Sequence, residues 1–385
     1  MIEPAERLST IKEYYFSRKL KEISELRESG KDILNLGIGN PDMPPPQGTV
    51  KMLHHSSSIE QNHGYQSYTG DPNLRKAFVQ WYERHFQVRL NADKEALPLI
   101  GSKEGIMHIS MAFLNPGDGV LIPDPGYPAY KSVADLLSAN VIKYDLKEEN
   151  GWFPDLNELQ KLNLEKVKIM WVNYPNMPTG TKASYEQLED LVEFGIKNNI
   201  LICNDNPYSF ILNDHPISIL KVPKAKSIAL ELNSLSKSHN MAGWRIGIVV
   251  GNEKYINNIL KVKSNVDSGM YLPLQLAAVE ALNSPESWYE NLNKEYLKRR
   301  EMAAELLKNL DCVFDENQSG MFLWAKIPQD YENSYDFTDY LLKEYDFFIT
   351  PGKIFGENGE KYIRISLAGN PKNLKMALER VTILA

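Results

Sequence analysis

The stretch SLSKSHNMAGWRIG, residues 234–247, places one lysine behind two serines and ahead of an arginine. Lys237 follows an apolar, strand-like run, where a partly desolvated amine can form a Schiff base with an aldehyde. Ser234 and Ser236 offer hydroxyl donors, and Arg245 offers a planar guanidinium that suits a dianionic phosphate. The stretch therefore indicates a site for one ligand that carries both an aldehyde and a phosphate.

Around this stretch, near-continuous apolar runs alternate with helix-like segments. The runs include KVKIMWVNYPNMPTG at 166–180, NILICNDNPYSF at 199–210 and RIGIVVGN at 245–252. Buried strands separated by helices are typical of a mostly parallel sheet that is covered by helices on both faces. We therefore predict an α/β protein whose large domain, residues 46–275, has three α/β/α layers, with Lys237 near the carboxyl ends of the strands.

The remaining segments predict a second, smaller domain. After residue 275 the chain becomes helical and more charged, as in YENLNKEYLKRREMAAELLKNL at 289–310. Strand-like runs follow, among them FFITPGKIFG and KYIRISLAG. We predict a small α+β domain over residues 276–385, and an N-terminal arm, residues 1–45, that joins it.

The composition disfavours several classes of function. The net charge of -7 and the pI near 5.7 disfavour nucleic acids and anionic membranes as partners, and the longest apolar runs are too short to span a bilayer. Cys203 and Cys312 are too few for a disulfide framework, and the histidines lack ligand-like spacing, so no metal site is predicted. The charged N-terminal segment does not resemble a secretory signal, and a cytoplasmic enzyme is expected.

The pattern S-x-S-K…G-x-R-x-G in residues 234–247 resembles the lysine-site signature of the class I and II aminotransferases. The resemblance covers nearly the whole chain. Members of this family are pyridoxal-phosphate enzymes with the aspartate aminotransferase fold, also called fold type I. The resemblance implies that Lys237 holds the aldehyde of pyridoxal 5′-phosphate, while Ser234, Ser236 and Arg245 hold its phosphate.

Two residues at a strand end are implied to contact the cofactor ring. Asp205 closes the apolar run ICND, a place where turn aspartates are common, and Tyr208 follows three residues later. In the resembled family, the aspartate pairs with the pyridine nitrogen and keeps it protonated, so that the ring accepts electrons. The tyrosine there donates to the phenolic oxygen. Lys237, Asp205 and Tyr208 are therefore the predicted catalytic residues.

Further cofactor contacts are implied at two turns and at one aromatic position. GSKEGI opens a helix, and free N–H groups at helix starts bind anions, so Ser102 and Lys103 are expected at the phosphate. Tyr127, in DPGYPAY, matches an aromatic residue that stacks on the pyridine ring. Tyr68, in YQSYTGDP, matches a tyrosine that reaches the cofactor phosphate of a neighbouring subunit. A homodimer with shared active sites is therefore expected.

One position departs from the family pattern. The usual run is P-N-N-P-T-G, whose second asparagine bonds the phenolic oxygen, but this chain reads YPNMPTG with Met177 in that place. A thioether cannot donate such a hydrogen bond. Either Asn176 or Asn173 takes over after a local shift, or Tyr208 serves alone. Asn176 is the predicted cofactor contact.

Three residues are implied to bind the substrate. Arg364, in YIRISLA, matches an arginine that forks the substrate's α-carboxylate, although a strand arginine is also a common structural ion pair. Gly39, in LGIGNPD, matches a glycine whose backbone approaches the same carboxylate. The arm sequence EYYF resembles the diaminopimelate aminotransferase branch, which places Tyr14 near the substrate, and the same tyrosine could simply pack the arm.

The resemblance predicts an aminotransferase that moves an amino group from an aspartate-like L-amino acid to a 2-oxo acid such as 2-oxoglutarate. Lys237 would serve as the general base. An LL-diaminopimelate-type donor is an alternative, and so are a β-lyase or an acyl-transferring synthase, because the same residues do not choose the bond that breaks. A non-catalytic cofactor-binding sensor is disfavoured, since such regulators carry a basic DNA-binding domain ahead of the fold.

Overall fold

The computed structural model of the protein describes residues 2–9 and 15–384. The strands within these residues are β1 Leu34–Asn35, β2 Ala96–Leu99, β3 Gly119–Asp124, β4 Asn140–Asp145, β5 Val167–Val172, β6 Leu201–Asp205, β7 Ala229–Ser234, β8 Gly247–Gly251, β9 Phe322–Lys326, β10 Phe347–Phe348, β11 Thr350–Pro351 and β12 Tyr362–Ser366.

The α-helices of the described residues alternate with these strands through the first two thirds of the chain. They are α1 Tyr15–Glu28, α2 Gln47–Ser57, α3 Pro72–Phe86, α4 Ser102–Phe113, α5 Pro128–Leu136, α6 Leu156–Leu159, α7 Tyr185–Asn198, α8 Leu235–Ser238, α9 Glu253–Lys263, α10 Leu272–Leu282, α11 Glu286–Asn309, α12 Ser334–Glu344 and α13 Pro371–Leu384. Short 3-10 helices lie at Glu6–Leu8, Glu60–His63, Glu148–Asn150, Ile219–Lys221, Ala225–Ser227, Ala242–Trp244, Gly352–Phe355 and Glu357–Gly359.

A seven-stranded sheet forms the centre of the fold, with the strand order β2-β8-β7-β6-β5-β3-β4. The five strands from β7 to β4 pair in parallel, and β8 runs antiparallel to both β7 and β2. Strands β3, β6, β7 and β8 are buried along their whole length. This burial explains why these strands are mostly apolar, because both faces of the sheet are covered.

Alternate residues of one strand show the two covering layers. Met170 and Val172 of β5 pack in the same apolar cluster as residues of α3, α7 and α10. Ile169 and Trp171, which point to the opposite face, pack with residues of α4, α5 and α9. The large sheet is therefore the middle of three layers, and the predicted α/β fold with a mostly parallel sheet is confirmed.

A separate antiparallel sheet, β11-β12-β9, lies in the last third of the chain. Its apolar side chains pack with those of α11, α12 and α13 in a second core. Leu34 and Leu36 belong to the same core, and β1 pairs in parallel with β10. The N-terminal segment thus lies against the C-terminal third of the protein. Among the described residues, no helix combines the length and the apolar character that crossing a membrane requires.

Candidate active site

A cavity of about 560 Å³ opens where the carboxyl ends of β6 and β7 meet the start of α4. Residues from distant segments converge there, and most of the sequence-predicted positions are among them: Gly39, Ser102, Lys103, Tyr127, Asp205, Tyr208, Ser234, Ser236, Lys237, Arg245 and Arg364. Asn176 and Tyr68 are not part of the lining. Tyr14 lies outside the described residues.

Lys237 lies in the short helix α8, directly after β7. Its amine donates to the Gly39 carbonyl at 2.6 Å. Burial lowers the pKa of the Lys237 amine to about 8, and the positive charges of Arg364 and Arg245 act in the same direction. An amine that loses its proton near neutral pH can act as a nucleophile towards an aldehyde and as a base.

Hydroxyls and a guanidinium cluster beside this lysine. Ser234 Oγ caps α8 by accepting from the Ser236 N–H at 3.1 Å, and it also donates to Ser236 Oγ at 2.8 Å. Arg245 adopts a left-handed backbone with φ 57° and donates to the Ala242 carbonyl at 2.9 Å. A Cβ at Gly101, where φ is 81°, would collide with the Arg245 guanidinium. The turn before α4 and Arg245 therefore form a narrow cradle that suits a phosphate.

Asp205 is the one carboxylate of the cavity lining. Its Oδ2 accepts from the Tyr130 hydroxyl at 3.1 Å, while its Oδ1 is buried and has no hydrogen-bond partner within the described part of the chain. Burial raises the pKa of Asp205 to about 7, against the opposing effect of the Tyr130 hydrogen bond. A protonated ring nitrogen would supply the missing partner of Oδ1 and favour the carboxylate. The cradle and this orphaned oxygen together fit pyridoxal phosphate.

Asn173, Asn176 and Met177 take separate roles at the end of β5. Asn173 uses both ends of its amide, because Oδ1 accepts from the Met177 N–H at 2.7 Å and Nδ2 donates to the Asp205 carbonyl. Asn176 Oδ1 accepts from Thr179 Oγ1 at 2.9 Å, which holds the turn and keeps that oxygen occupied. Met177 fills the cavity wall, and its Sδ lies 3.2 Å from Arg364 Nη1.

Arg364 projects from β12 into an aromatic surrounding. Its Nη2 donates to the Gly37 carbonyl at 2.9 Å. The guanidinium carbon lies 3.8 Å from the ring centroid of Phe322, 4.7 Å from that of Phe355 and 5.6 Å from that of Phe16. Rings on several sides hold the guanidinium plane in place. The Met177 thioether beside Nη1 is a weak acceptor, and a carboxylate would be a stronger partner for this nitrogen.

Tyrosines line the cavity near Asp205. Tyr127 precedes α5, and its ring meets that of Tyr130 edge-on at 5.6 Å. Tyr130 in turn stacks on Trp171, with ring planes 6° apart. Tyr208 packs against Phe322 with the ring centroids 6.0 Å apart. Tyr130 was not predicted as a site residue, and the sequence signal that could have found it is its position one helical turn after Tyr127.

Several apolar lining residues were also missed by the sequence reasoning. They come from α1, from the segment after β1 and from β9, and they are Phe16, Leu20, Ile38 and Phe322. Tyr68, by contrast, was predicted but is 47 % exposed on the surface. The expected contact of Tyr68 with the phosphate of another subunit stays a prediction.

The fold and the site define a fold type I pyridoxal-phosphate enzyme. A buried lysine follows a strand of a mostly parallel sheet, an orphaned carboxylate ends the neighbouring strand, and a phosphate cradle lies beside both. The family model described as Aminotransferase class I and II matches residues 31–381, so the chain belongs to this family. It is a pyridoxal-phosphate-dependent aminotransferase, and the predicted activity and cofactor are confirmed.

Several relatives match over their full length. The chain is 42% identical over 382 residues to an LL-diaminopimelate aminotransferase of Natranaerobius thermophilus, with 99% of each protein covered. It is 41% identical over 383 residues to the LL-diaminopimelate aminotransferase of Aquifex aeolicus, again with 99% of each covered.

Solved structures share the fold. A substrate-bound BacF structure from Bacillus subtilis has a TM-score of 0.93 at 35% identity and covers 100% of this chain and 98% of that one. Aspartate aminotransferase of Thermus thermophilus, in a single-mutant form, has a TM-score of 0.92 at 24% identity with 100% of both chains covered, a likeness that shows the fold alone.

Proposed function

We propose that Lys237, Asp205 and Tyr208 are the catalytic residues of this aminotransferase and that the other residues of the cavity hold cofactor and substrate. The observation that best supports this assignment is the convergence of the Lys237 amine, the unpartnered Asp205 Oδ1 and the Arg364 guanidinium on one cavity. Ser102, Lys103, Ser234, Ser236 and Arg245 would hold the phosphate, Asp205 the ring nitrogen, Tyr208 the phenolic oxygen and Tyr127 the ring face.

When bound, pyridoxal phosphate supplies a ring that accepts the electrons left on the substrate's α-carbon. The protein supplies the proton transfers. The Lys237 amine accepts the α-proton of the amino acid, and its lowered pKa suits a group that must be neutral when it accepts and positive when it donates. Asp205 holds a proton at the ring nitrogen, and its burial keeps water from competing for that contact.

Arg364 and Gly39 would orient the substrate. The Arg364 guanidinium can form two parallel hydrogen bonds with an α-carboxylate. The Gly39 carbonyl is the present partner of the Lys237 amine, so the carboxylate site and the base adjoin each other. A substrate held by its carboxylate at Arg364 therefore has its α-carbon directed towards Lys237, which reduces the entropic part of the barrier. Tyr14 stays a predicted substrate contact.

We infer that the amino donor is LL-diaminopimelate or a related acidic amino acid such as aspartate, with 2-oxoglutarate as acceptor. The support is that relatives matched over 99% of their length carry the name LL-diaminopimelate aminotransferase. Lys103 lines the same cavity beside the cradle, where its positive charge would attract a distal carboxylate as well as phosphate.

A second donor class is an amino acid with an apolar side chain. Phe16, Leu20, Ile38 and Phe322 form an apolar wall around Arg364, and such a wall would bind an aliphatic or aromatic side chain better than a charged one. The two classes differ in whether the group beyond the α-carbon is charged.

An absorbance titration of the cofactor-loaded protein with single donors tests these proposals. LL-diaminopimelate, L-aspartate, L-leucine and L-phenylalanine are added one at a time without any 2-oxo acid. Loss of the visible band identifies an amino donor, and the donor with the highest rate per concentration gives the class. A β-lyase would release its product without lasting conversion of the cofactor. Protein that takes up no pyridoxal phosphate at all would refute the site assignment.

We also propose a homodimer in which Tyr68 completes the phosphate site of the partner subunit. Its support is a surface region of exposed apolar side chains, Tyr65, Tyr68, Val266 and Tyr271. The two segments adjoin each other, because a Cβ on Gly269 would lie 2.7 Å from the Ser67 carbonyl oxygen. Light scattering measures the mass, and Tyr68→Phe should weaken cofactor retention without changing that mass.

We propose, finally, the domain limits 1–45, 46–275 and 276–385, supported by the pairing of β1 with β10 and by a separate core in the last third of the chain. A cytoplasmic location is supported by Cys203 and Cys312, which are both buried free thiols.

A further inference from the structure

A cluster of charged and polar side chains adjoins the phosphate cradle outside the cavity lining; two of its members are buried and two are partly buried. It consists of Glu104 and His108 on α4, Lys263 at the end of α9, and Asp267 just beyond; we call these four residues the α4–α9 cluster. Ligand-type atoms of Glu104, His108 and Asp267 all lie within 4.8 Å of one another. Lys263 Nζ lies 2.5 Å from Asp267 Oδ2, and the Lys263 side chain is 2 % exposed. The ammonium group already balances one carboxylate, so the cluster does not by itself indicate a metal.

Glu104 connects this cluster to the cradle. One carboxylate oxygen, Oε1, hydrogen-bonds His108 Nε2 at 2.9 Å. The other, Oε2, accepts from the backbone N–H of Ile100, the residue that precedes Gly101. The Glu104 carboxylate therefore holds the peptide that enters the left-handed turn, and α4 begins at Ser102 directly after that turn.

The position of this turn is sensitive to small shifts. A Cβ on Gly247 of β8 would lie 2.8 Å from the Ser102 backbone nitrogen, and a Cβ on Gly101 would collide with the Arg245 guanidinium. The turn thus fits closely between β8 and Arg245. A rotation of the Ile100–Gly101 peptide would therefore displace Ser102 and Lys103, which line the cavity.

The cluster also supports the segment that carries Tyr68. Asp267 Oδ1 accepts from the Gly269 N–H at 2.9 Å. A Cβ on Gly269 would lie 2.7 Å from the Ser67 carbonyl oxygen and 2.9 Å from that of Gln66. The α4–α9 cluster therefore supports both the phosphate cradle of this subunit and the loop that we propose to reach the partner's phosphate.

We propose that Glu104 is a positioning residue for the cofactor phosphate: through Ile100 it fixes the turn whose N–H groups bind that phosphate, and the rest of the α4–α9 cluster holds Glu104 in place. The inference rests on the proposed phosphate site. It predicts that Glu104 affects a ligand that carries a phosphate and leaves a ligand without one unaffected.

Binding of pyridoxal 5′-phosphate and of pyridoxal to the apoprotein separates these effects. Both compounds have the ring and the aldehyde, and only one has the phosphate. Dissociation constants are measured by absorbance for the wild type and for Glu104→Ala, Glu104→Gln and Glu104→Asp. The exposed Glu290→Ala on α11 is the matched control.

For Glu104→Ala we expect the Kd for pyridoxal phosphate to rise about tenfold, or about 1.4 kcal/mol, while the Kd for pyridoxal stays constant. Glu104→Gln should retain most of the affinity, because its amide oxygen still accepts from the Ile100 N–H. Glu104→Asp keeps the charge but is one methylene too short to reach Ile100, so it should show the same loss of affinity as Glu104→Ala. It provides the test if the alanine variant folds poorly. Glu290→Ala should match the wild type.

Two outcomes would overturn the inference. An equal loss for both ligands in Glu104→Ala and Glu104→Asp would mean that the residue supports the fold in general. Unchanged dissociation constants for both ligands in these variants would mean that Glu104 does not position the turn. A wild type that binds neither aldehyde would refute the proposed function itself.

Discussion

The cofactor end and the substrate end of the cavity are lined by different kinds of side chain. At the cofactor end, the start of α4, the ends of β6 and β7 and the segment after β7 bring together hydroxyls, one carboxylate and three cations, Lys103, Lys237 and Arg245. At the substrate end, α1, β9 and β12 surround one guanidinium with rings and a thioether. The first end is specific through fixed polar partners. The second holds the Arg364 guanidinium within an apolar wall. Substitutions in α1 or β9 can change the shape of this wall without affecting the cofactor contacts.

The largest expected effect on the transamination rate comes from replacing Lys237, which lies between the two ends of the cavity. Lys237→Ala should lower the transamination rate by at least about 1,000-fold, because the α-proton loses its base. Single-turnover rates measure this loss, and the retained Kd for a carboxylate inhibitor serves as control. A residual rate within tenfold of the wild type would assign the base elsewhere.

Arg364→Lys should separate the two ends. The lysine keeps the charge but loses the two-pronged geometry, so kcat/KM for the amino acid should fall about 100-fold, in the range measured for truncated charge pairs. The Kd for pyridoxal phosphate should not change, since the lysine keeps the positive charge near Lys237 and Arg364 bonds to Gly37 and not to the cradle. A parallel loss of cofactor affinity would show that the ends are not independent.

The charges of the two ends meet at the Lys237 amine, whose pKa is lowered to about 8. The neutral amine is the nucleophile, so the rate at which the apoprotein captures pyridoxal should be constant above pH 8. It should fall about tenfold per pH unit below that value, as protonation removes the free amine. In Arg364→Gln the pH below which the rate falls should be higher, because the loss of one positive neighbour raises the pKa of the Lys237 amine. If the rate begins to fall at the same pH as in the wild type, burial and Arg245 alone would account for the lowered pKa.

The smallest effect concerns Met177, which touches both ends. Met177→Leu keeps the volume and removes the sulfur contact with Arg364 Nη1, so KM for the amino acid should change less than about threefold, as isosteric core exchanges usually do. Met177→Asn adds a donor to the cavity wall and should shift the pH at which the cofactor absorbance changes. If the leucine variant loses as much as Arg364→Lys, the thioether orients the guanidinium far more firmly than a weak acceptor should.

The same contrast explains what the sequence could predict. Lys237, Asp205 and the turn at Ser102 each follow a strand within a few residues, so strand pattern and motif spacing place them at one sheet edge. Asn173 and Asn176 are close in sequence and alike in chemistry, so the sequence does not show which of them lines the cavity. In the structure Asn173 bonds to Asp205 and lines the cavity, whereas Asn176 bonds to Thr179.

Long-range contacts were beyond the reach of local patterns. Phe16 and Phe322 meet at Arg364 because α1 packs against the C-terminal third, a contact without a periodicity to reveal it. In the sequence Tyr130 is an ordinary helix residue, and only the packing of α5 places its hydroxyl within hydrogen-bond distance of Asp205. Glu104 likewise reads as a charged helix start, and its bond to Ile100 appears only in three dimensions.

The pairing of Leu34–Asn35 with Phe347–Phe348 has a consequence for biosynthesis. All seven strands of the large sheet precede residue 252, whereas the early segment that borders the substrate end cannot pair until residues 347–348 have been synthesised. Until then the leucines of the early segment lack this partner strand. We expect nascent chains halted before residue 347 to engage chaperones through this segment, and chains that extend through β12 to be released from them.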